Sequence, residues 1–124
     1  MDTAALPGID ARAQRRARQA LACLPFRRTL YDTLAGSALS SSAIASAGAT
    51  YSRTALSANA VEGHLIWLIQ LGVLRREVDG QGLTERVRLT PMGRDLLNSM
   101  PGEIPGAAPI SRLRHWLRRH RPRI

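Results

Sequence analysis

The sequence is poor in cysteine and in aromatic residues, and both shortages limit the kinds of protein that it can be. Cys23 is the single cysteine, so an internal disulfide bond is excluded and a reducing compartment fits best. Aromatic residues make up 4% of the chain, so the core must consist of aliphatic side chains, which favours packed helices over a large sheet. No apolar run approaches the roughly 20 residues that span a bilayer, and the N-terminus does not resemble a signal peptide. We therefore expect one soluble, cytoplasmic domain.

Lysine is absent, and all 18 basic residues are arginine. Two interpretations remain open: selection for bidentate phosphate contacts, or a compositional bias of the coding sequence. The net charge of +9 is unevenly distributed, because residues 101–124 contain six arginines and one acid, whereas the rest of the chain is nearly balanced. The excess charge therefore lies mainly in a C-terminal tail.

The residue combinations that catalysis requires are missing from the sequence. We find no nucleophile beside a base, no carboxylate pair, no metal-ligand cluster and no glycine-rich phosphate loop. The histidines at positions 64, 115 and 120 are scattered, and two of them lie in the tail. We therefore predict that the protein is not an enzyme and uses no metal or other cofactor.

Apolar residues recur at helical spacing in several segments. The predicted helices cover residues 11–24, 25–36, 43–47, 58–71 and 91–100. Asp10, Ser57 and Thr90 are residue types that cap helix N-termini, and one of the serines 40–42 is expected to cap the short helix. Gly72 is placed to end the helix that starts after Ser57.

Residues 73–79 and 85–89 are rich in β-branched or alternating residues, and turn-forming residues separate them, which predicts a β-hairpin. Prolines and glycines concentrate in the segment that follows the last helix. The predicted organisation is an N-terminal extension (1–9), a folded domain (10–100), a linker (101–110) and an arginine-rich tail (111–124). The predicted fold class is α+β, mainly helical.

The order of the predicted elements resembles that of the winged helix-turn-helix superfamily. Residues 39–45 (LSSSAIA) resemble the first helix of the turn motif, and residues 68–75 (LIQLGVLR) resemble the end of a recognition helix. Residues 89–97 (LTPMGRDLL) are similar to the segment that leaves the wing in MarR, PadR and ArsR-type regulators. Residues 24–97 also resemble a small cyanobacterial family of uncharacterised winged-helix proteins. These resemblances imply a winged helix with a two-stranded wing, but they supply no activity.

A winged helix that binds DNA would place helix 58–71 in the major groove. The candidate DNA-contacting residues are Tyr51, Ser52, Arg53, Ser57, Asn59, His64, Arg75, Arg76, Arg86 and Arg88. Two features oppose this interpretation: Glu62 repels phosphate, and helix 58–71 contains no arginine or lysine. The hairpin arginines also have an alternative role in cross-strand ion pairs, for example with Glu77.

Helix 58–71 is apolar on more than one face. Val61, Leu65 and Leu68 form the expected core stripe, whereas Ile66, Trp67 and Ile69 lie off it and form a candidate interface. Burying each of these side chains is worth about 1.5–3 kcal/mol. The N-terminal helix, a second copy of the chain in a homodimer, or a partner protein would cover them.

The tail combines arginines with Trp116, which suits an arm that contacts nucleic acid or an anionic surface, or a solubilising tail. Two functions therefore remain open. The first is a winged-helix DNA-binding protein that regulates transcription as a dimer. The second is a non-catalytic protein-interaction or assembly module of the same fold that does not read DNA.

Overall fold

The computed structural model describes residues 7–104, 115–117 and 119, and it is an α+β structure that is mainly helical, as predicted. The helices are α1 (Pro7–Cys23), α2 (Arg28–Gly36), α3 (Ser41–Ser46), α4 (Ala58–Gln70) and α5 (Pro91–Asn98), with a 3-10 turn at Gly48–Thr50. The strands β1 (Leu74–Asp79) and β2 (Gly82–Leu89) form an antiparallel sheet. Much of the predicted extension, linker and tail, residues 1–6, 105–114, 118 and 120–124, lies outside the described residues.

Side-chain caps fix the starts of three helices. The hydroxyl oxygens of Ser40, Ser57 and Thr90 each accept a hydrogen bond of 3.0–3.1 Å from the backbone N–H three residues ahead. Pro91 follows Thr90 at the first helical position, where its missing N–H costs nothing. Gly72 ends α4 with φ +85°, a conformation that favours glycine. The predicted caps at Ser57 and Thr90 are thus confirmed.

Three helix starts differ from the prediction, and the start of α3 differs least, because it lies at Ser41, two residues before the predicted start. Helix α1 begins before Asp10, which therefore lies inside the helix instead of capping it. Helix α2 begins three residues after Pro25, because Phe26 pairs with Ser52 in an antiparallel β-bridge and keeps the intervening backbone extended. Tertiary pairing thus overrides the local preference of proline for a first helical turn.

The hairpin is longer than predicted. Asp79 pairs with Gly82, so the turn contains two residues and β2 begins three residues before the predicted start at Glu85. A bulge interrupts the register between Arg76 and Val78. On the edge of β2, Leu39 and Val87 exchange two backbone hydrogen bonds of 3.1 and 2.8 Å. This exchange fixes the segment before α3 against the sheet.

The core lies between the helices and one face of the hairpin, and Tyr31, Phe26 and Leu21 are its largest fully buried side chains. Ile104, which the sequence analysis placed in the linker, is 1% exposed and packs in this core. Arg28 secures the same region, because its guanidinium donates hydrogen bonds to backbone carbonyls at the end of α5 and beyond it. Residues 101–104 therefore pack on the folded body.

Candidate functional site

Helix α4 presents a line of residues on its outer side. Asn59, Gly63, Ile66 and Gln70 follow one another at spacings of four, three and four residues, so they share one face of the helix. The opposite face buries the predicted core stripe of valine and leucine residues. Asn59, Ile66 and Gln70 are exposed, and Ile66 retains 42% of its accessible surface. We call these four residues the outer stripe.

An ion pair joins α4 to the hairpin on one flank of the outer stripe. Arg76 Nη2 lies 2.5 Å from Glu62 Oε2, and Ser41 donates its hydroxyl hydrogen to the other carboxylate oxygen. Hydrogen bonds from Arg76 and then Ser41, together with the positive charge of Arg76, hold the pKa of Glu62 below its usual value. The carboxylate therefore stays ionised at neutral pH, and its charge is balanced by a guanidinium.

A polar cleft of about 290 Å³ opens where α3, α4 and the hairpin meet. Its lining residues are Ser41, Ser42, Ala58, Asn59, Glu62, Arg76 and Glu85. Two carboxylates and one guanidinium give this lining a negative balance, while hydroxyl and amide groups supply neutral hydrogen-bonding positions. The cleft borders the outer stripe at Asn59.

The C-terminal segment covers the other flank of α4. Trp67 donates its indole N–H to His115 Nε2 at 2.9 Å, and Arg119 donates a guanidinium N–H to His64 Nδ1 at 2.8 Å. His115 is buried, with 6% of its surface exposed. These two hydrogen bonds run antiparallel to α4, because His115 pairs with the later residue of the helix, Trp67, and Arg119 pairs with the earlier one, His64.

His64 is therefore a packed residue and is not open to a ligand. Its ring lies edge-on to Phe26, with centroids 5.6 Å apart, while Arg119 contacts it from the tail. Burial, followed by the positive charges of Arg119 and His115, lowers the pKa of His64 to about 4. The neutral imidazole accepts from the guanidinium, which fixes Nδ1 as the unprotonated nitrogen.

The hairpin arginines divide between the two faces of the sheet. Arg76 pairs with the buried Val87, so it lies on the face that packs against α4. Arg75 pairs with Arg88, so strand alternation puts these two residues, and Arg86, on the opposite face. The predicted cross-strand ion pair is present, with Arg88 Nε 2.8 Å from Glu77 Oε2. Arg75 and Arg86 are exposed.

The loop before α4 faces the body of the protein. The Tyr51 carbonyl accepts the backbone N–H of Arg27 at 2.8 Å, and Ser52 is 3% exposed. The Arg53 guanidinium donates to the carbonyl of Ile104. These three candidate residues thus make contacts inside the fold.

The candidate interface residues have three different environments. Ile69 is half-buried against the core, Trp67 is half-buried beneath His115, and Ile66 is exposed. The chain's own C-terminal segment supplies part of the cover, which the sequence analysis did not include among the possible covers. Trp116 and Leu117 of that segment are 55% and 53% exposed.

A family profile described as Npun_F0494-like matches residues 8–119. The chain belongs to the Npun_F0494-like family. No curated protein and no solved structure matches the chain. The description Npun_F0494-like carries no activity, so function must be argued from the geometry of the site. The resemblance to winged-helix regulators stays a prediction.

Sequence reasoning missed Gly63, Gln70 and Arg119. The spacing of the outer stripe was a usable signal, because Gly63 and Gln70 follow Asn59 at helical periodicity. By contrast, 55 residues separate His64 from Arg119, and no local pattern reports such a contact. Searches of the described residues find no helix long and apolar enough to cross a bilayer, and no cluster of three metal-ligating side chains.

Proposed function

We propose that this Npun_F0494-like protein is a winged-helix DNA-binding protein, acting in transcription, that places the outer stripe of α4 in the major groove. The observation that carries the proposal is that Asn59, Ile66 and Gln70, two carboxamides and one aliphatic side chain, are exposed along one helix face. A helix is the element that the width of the major groove admits. The stripe is the part of α4 that such a groove would meet.

The architecture supports a winged helix in two ways. The element order α2, α3, α4 and hairpin is the one that the superfamily resemblance implies. The hydrogen bonds between Leu39 and Val87 form an antiparallel β-bridge to β2, directly before α3. The connection between α3 and α4, residues 47–57, is longer than the three- or four-residue turn of a simple helix-turn-helix. Base contacts are therefore expected from α4 and not from the turn.

The chemistry of the outer stripe suits A·T base pairs. Asn59 and Gln70 carry carboxamides, which bind the adenine edge through N6 and N7. Ile66 offers an apolar surface for the methyl group of thymine. Gly63 contributes no side chain to this face, and the Arg119 guanidinium packs beside it. Each bidentate amide contact is worth about 1–3 kcal/mol of discrimination against a wrong base.

The charges near α4 are compatible with weak binding. Glu62 is the charged residue within α4 and pairs with Arg76, while Glu85 leaves the lining of the cleft with a net negative charge. Arg75 and Arg86 are exposed on the hairpin, where long side chains reach phosphates at the edge of a groove. Phosphate contacts position a protein on the duplex and make its affinity fall with salt. We therefore expect binding that requires low ionic strength.

The test is fluorescence anisotropy with A·T-rich and G·C-rich duplexes at 50–200 mM salt. We expect the wild-type protein to prefer the A·T-rich duplex, and Asn59→Ala to lose that preference by about 1–3 kcal/mol. Asn98→Ala removes an exposed carboxamide from the end of α5 and is the matched control. Equal affinities for the two duplexes, or equal effects of the two alanine variants, would count against the proposal.

Protein interaction is the second candidate function, and one observation favours it. Ile66, Trp116 and Leu117 are large apolar side chains that are all more than 40% exposed, and their two segments pack together. Apolar surface with an aromatic centre is typical of interface hot spots. Sedimentation of the wild type and of Ile66→Asp tests for a second copy as the partner. A dimer that the substitution dissociates, without any DNA binding, would favour this function.

A further inference from the structure

We infer that Arg119, docked on α4 by the C-terminal segment, is the residue that binds a DNA backbone phosphate beside the outer stripe. The inference rests on the proposed function and deepens it by naming the residue that holds the duplex on α4. Arg119 is thereby the residue through which the tail contributes to the DNA-binding surface.

Phosphate binding beside α4 requires a cation from outside the helix. It contains no arginine or lysine, and its charged residue, Glu62, is acidic. Arg76, on the cleft side, is bound to that carboxylate. Arg119 supplies a positive charge on the opposite flank, where its partner is a neutral imidazole. A guanidinium that donates to a neutral group keeps its full charge for a phosphate.

The contact between Arg119 and Gly63 shows where the guanidinium lies relative to the outer stripe. An added Cβ at Gly63 would lie 3.6 Å from Arg119 Nη2, which is ordinary van der Waals distance. Gly63 lies one helical turn after Asn59, so the guanidinium sits against the face that carries the proposed base contact. A phosphate at this point would flank the base pair that Asn59 reads.

The Arg119 guanidinium has more N–H groups than its hydrogen bond to His64 uses. One Nη1 hydrogen is used on His64, while a guanidinium carries five N–H groups in a planar fork. A phosphate takes two such parallel hydrogen bonds, which is the geometry that arginine provides better than lysine. Arg119 remains partly exposed.

The anchor for this arrangement is the hydrogen bond from Trp67 to His115. His115 is buried, so the segment is held at one end by packing as well as by the indole N–H. Arg119 lies four residues further on, close to one turn of a helix, and reaches His64. The hydrogen bond to His64 therefore holds the Arg119 side chain before DNA arrives, and the bond from Trp67 holds His115, which reduces the entropy lost on binding.

The experiment compares full-length wild type, Arg119→Ala and Arg119→Lys by titrating a duplex at several salt concentrations. Losing one phosphate contact should reduce the slope of log affinity against log salt by about 0.9. If wild type and Arg119→Ala have the same affinity at 1 M salt, this difference in slope corresponds to roughly eightfold weaker binding by the variant at 0.1 M. Arg119→Lys should recover the slope, since a point charge also releases a counterion, while recovering only part of the affinity.

Arg15→Ala is the control, because it removes an exposed arginine from α1 and changes the net charge equally. A reduced slope for Arg119→Ala alone supports the inference. A reduced slope for both alanine variants shows a general charge effect and overturns it. Wild-type affinity in Arg119→Ala overturns it too, as does tighter binding, which would make the segment a cover over α4. In these cases the proposed function stands, whereas a wild-type protein that binds no duplex refutes the proposed function itself.

Discussion

Replacing Glu62 with glutamine should weaken the fold and strengthen DNA binding, and these opposite signs make it an informative perturbation. The carboxylate lies 2.5 Å from Arg76, and the two side chains are 34% and 20% exposed, respectively. Glutamine keeps the size of the side chain and its hydrogen-bonding oxygen, but it removes the charge. Arg76 would then be released from its ion pair at the edge of the proposed DNA-binding surface.

The magnitudes follow from the geometry. Losing one partly exposed ion pair should lower the free energy of unfolding by about 1 kcal/mol. A unit charge about 6–8 Å from a phosphate contributes about 0.5–0.7 kcal/mol in water, so its removal should tighten binding about two- to threefold. If the released Arg76 also contacts a phosphate, the salt slope should increase by about 0.9.

The assay is urea unfolding together with duplex titration at 50–200 mM salt. Asp32→Asn is the control, because it removes an equal charge and breaks an ion pair in α2, where Asp32 lies 3.5 Å from Arg28. We expect a larger gain in DNA affinity from Glu62→Gln than from Asp32→Asn. If Asp32→Asn gains as much or more, the cleft beside α4 does not face the duplex.

Two further predictions concern the fold. Gly93→Ala should cost about 1–3 kcal/mol of stability, because its Cβ would lie 2.6 Å from the Val73 carbonyl oxygen. The control is Gly36→Ala, where a Cβ meets nothing within 4 Å. Equal urea midpoints for the two variants would refute this reasoning. Burial lowers the pKa of His64 from 6.5 to about 4, so the neutral imidazole stabilises the fold fully above pH 6.5. As the pH falls to 4, the free energy of unfolding should decrease by about 1–2 kcal/mol, because the unfolded chain then binds a proton that the folded chain does not. His64→Gln should flatten this dependence in urea titrations at pH 7 and 4.5, and an unchanged pH profile would contradict it.

Most of the fold could be predicted because its signals are local. A serine or threonine before an apolar periodic segment marks each cap, and two β-branched segments around a glycine-containing turn mark the hairpin. The start of α2 could not be predicted, because Phe26 is held extended by pairing with Ser52, which is distant in sequence. The burial of Ile104 has the same cause, since a carbonyl contact with Arg53 fixes a segment that looks like a linker.

The candidate site was harder to predict than the fold. Asn59 was found because a polar residue in the first turn of a long helix is easy to recognise, and the structure leaves it exposed. His64 is another polar residue of the same helix, yet Phe26 and Arg119 pack against it. Asn59 and His64 differ in exposure because the C-terminal segment packs on the flank of α4 that carries His64. The periodicity of residues within α4 gives no information about where that segment packs.

The central claim is that the outer stripe of α4 meets the duplex, and the most direct test is a side-chain NMR titration. Protein labelled with ¹⁵N would be titrated with an A·T-rich duplex at 50 mM salt while the carboxamide and guanidinium signals are followed. The account predicts the largest shifts at the side chains of Asn59, Gln70 and Arg119, with Asn98 unchanged. Shifts confined to the arginines of α1, or equal shifts at Asn59 and Asn98, would contradict it.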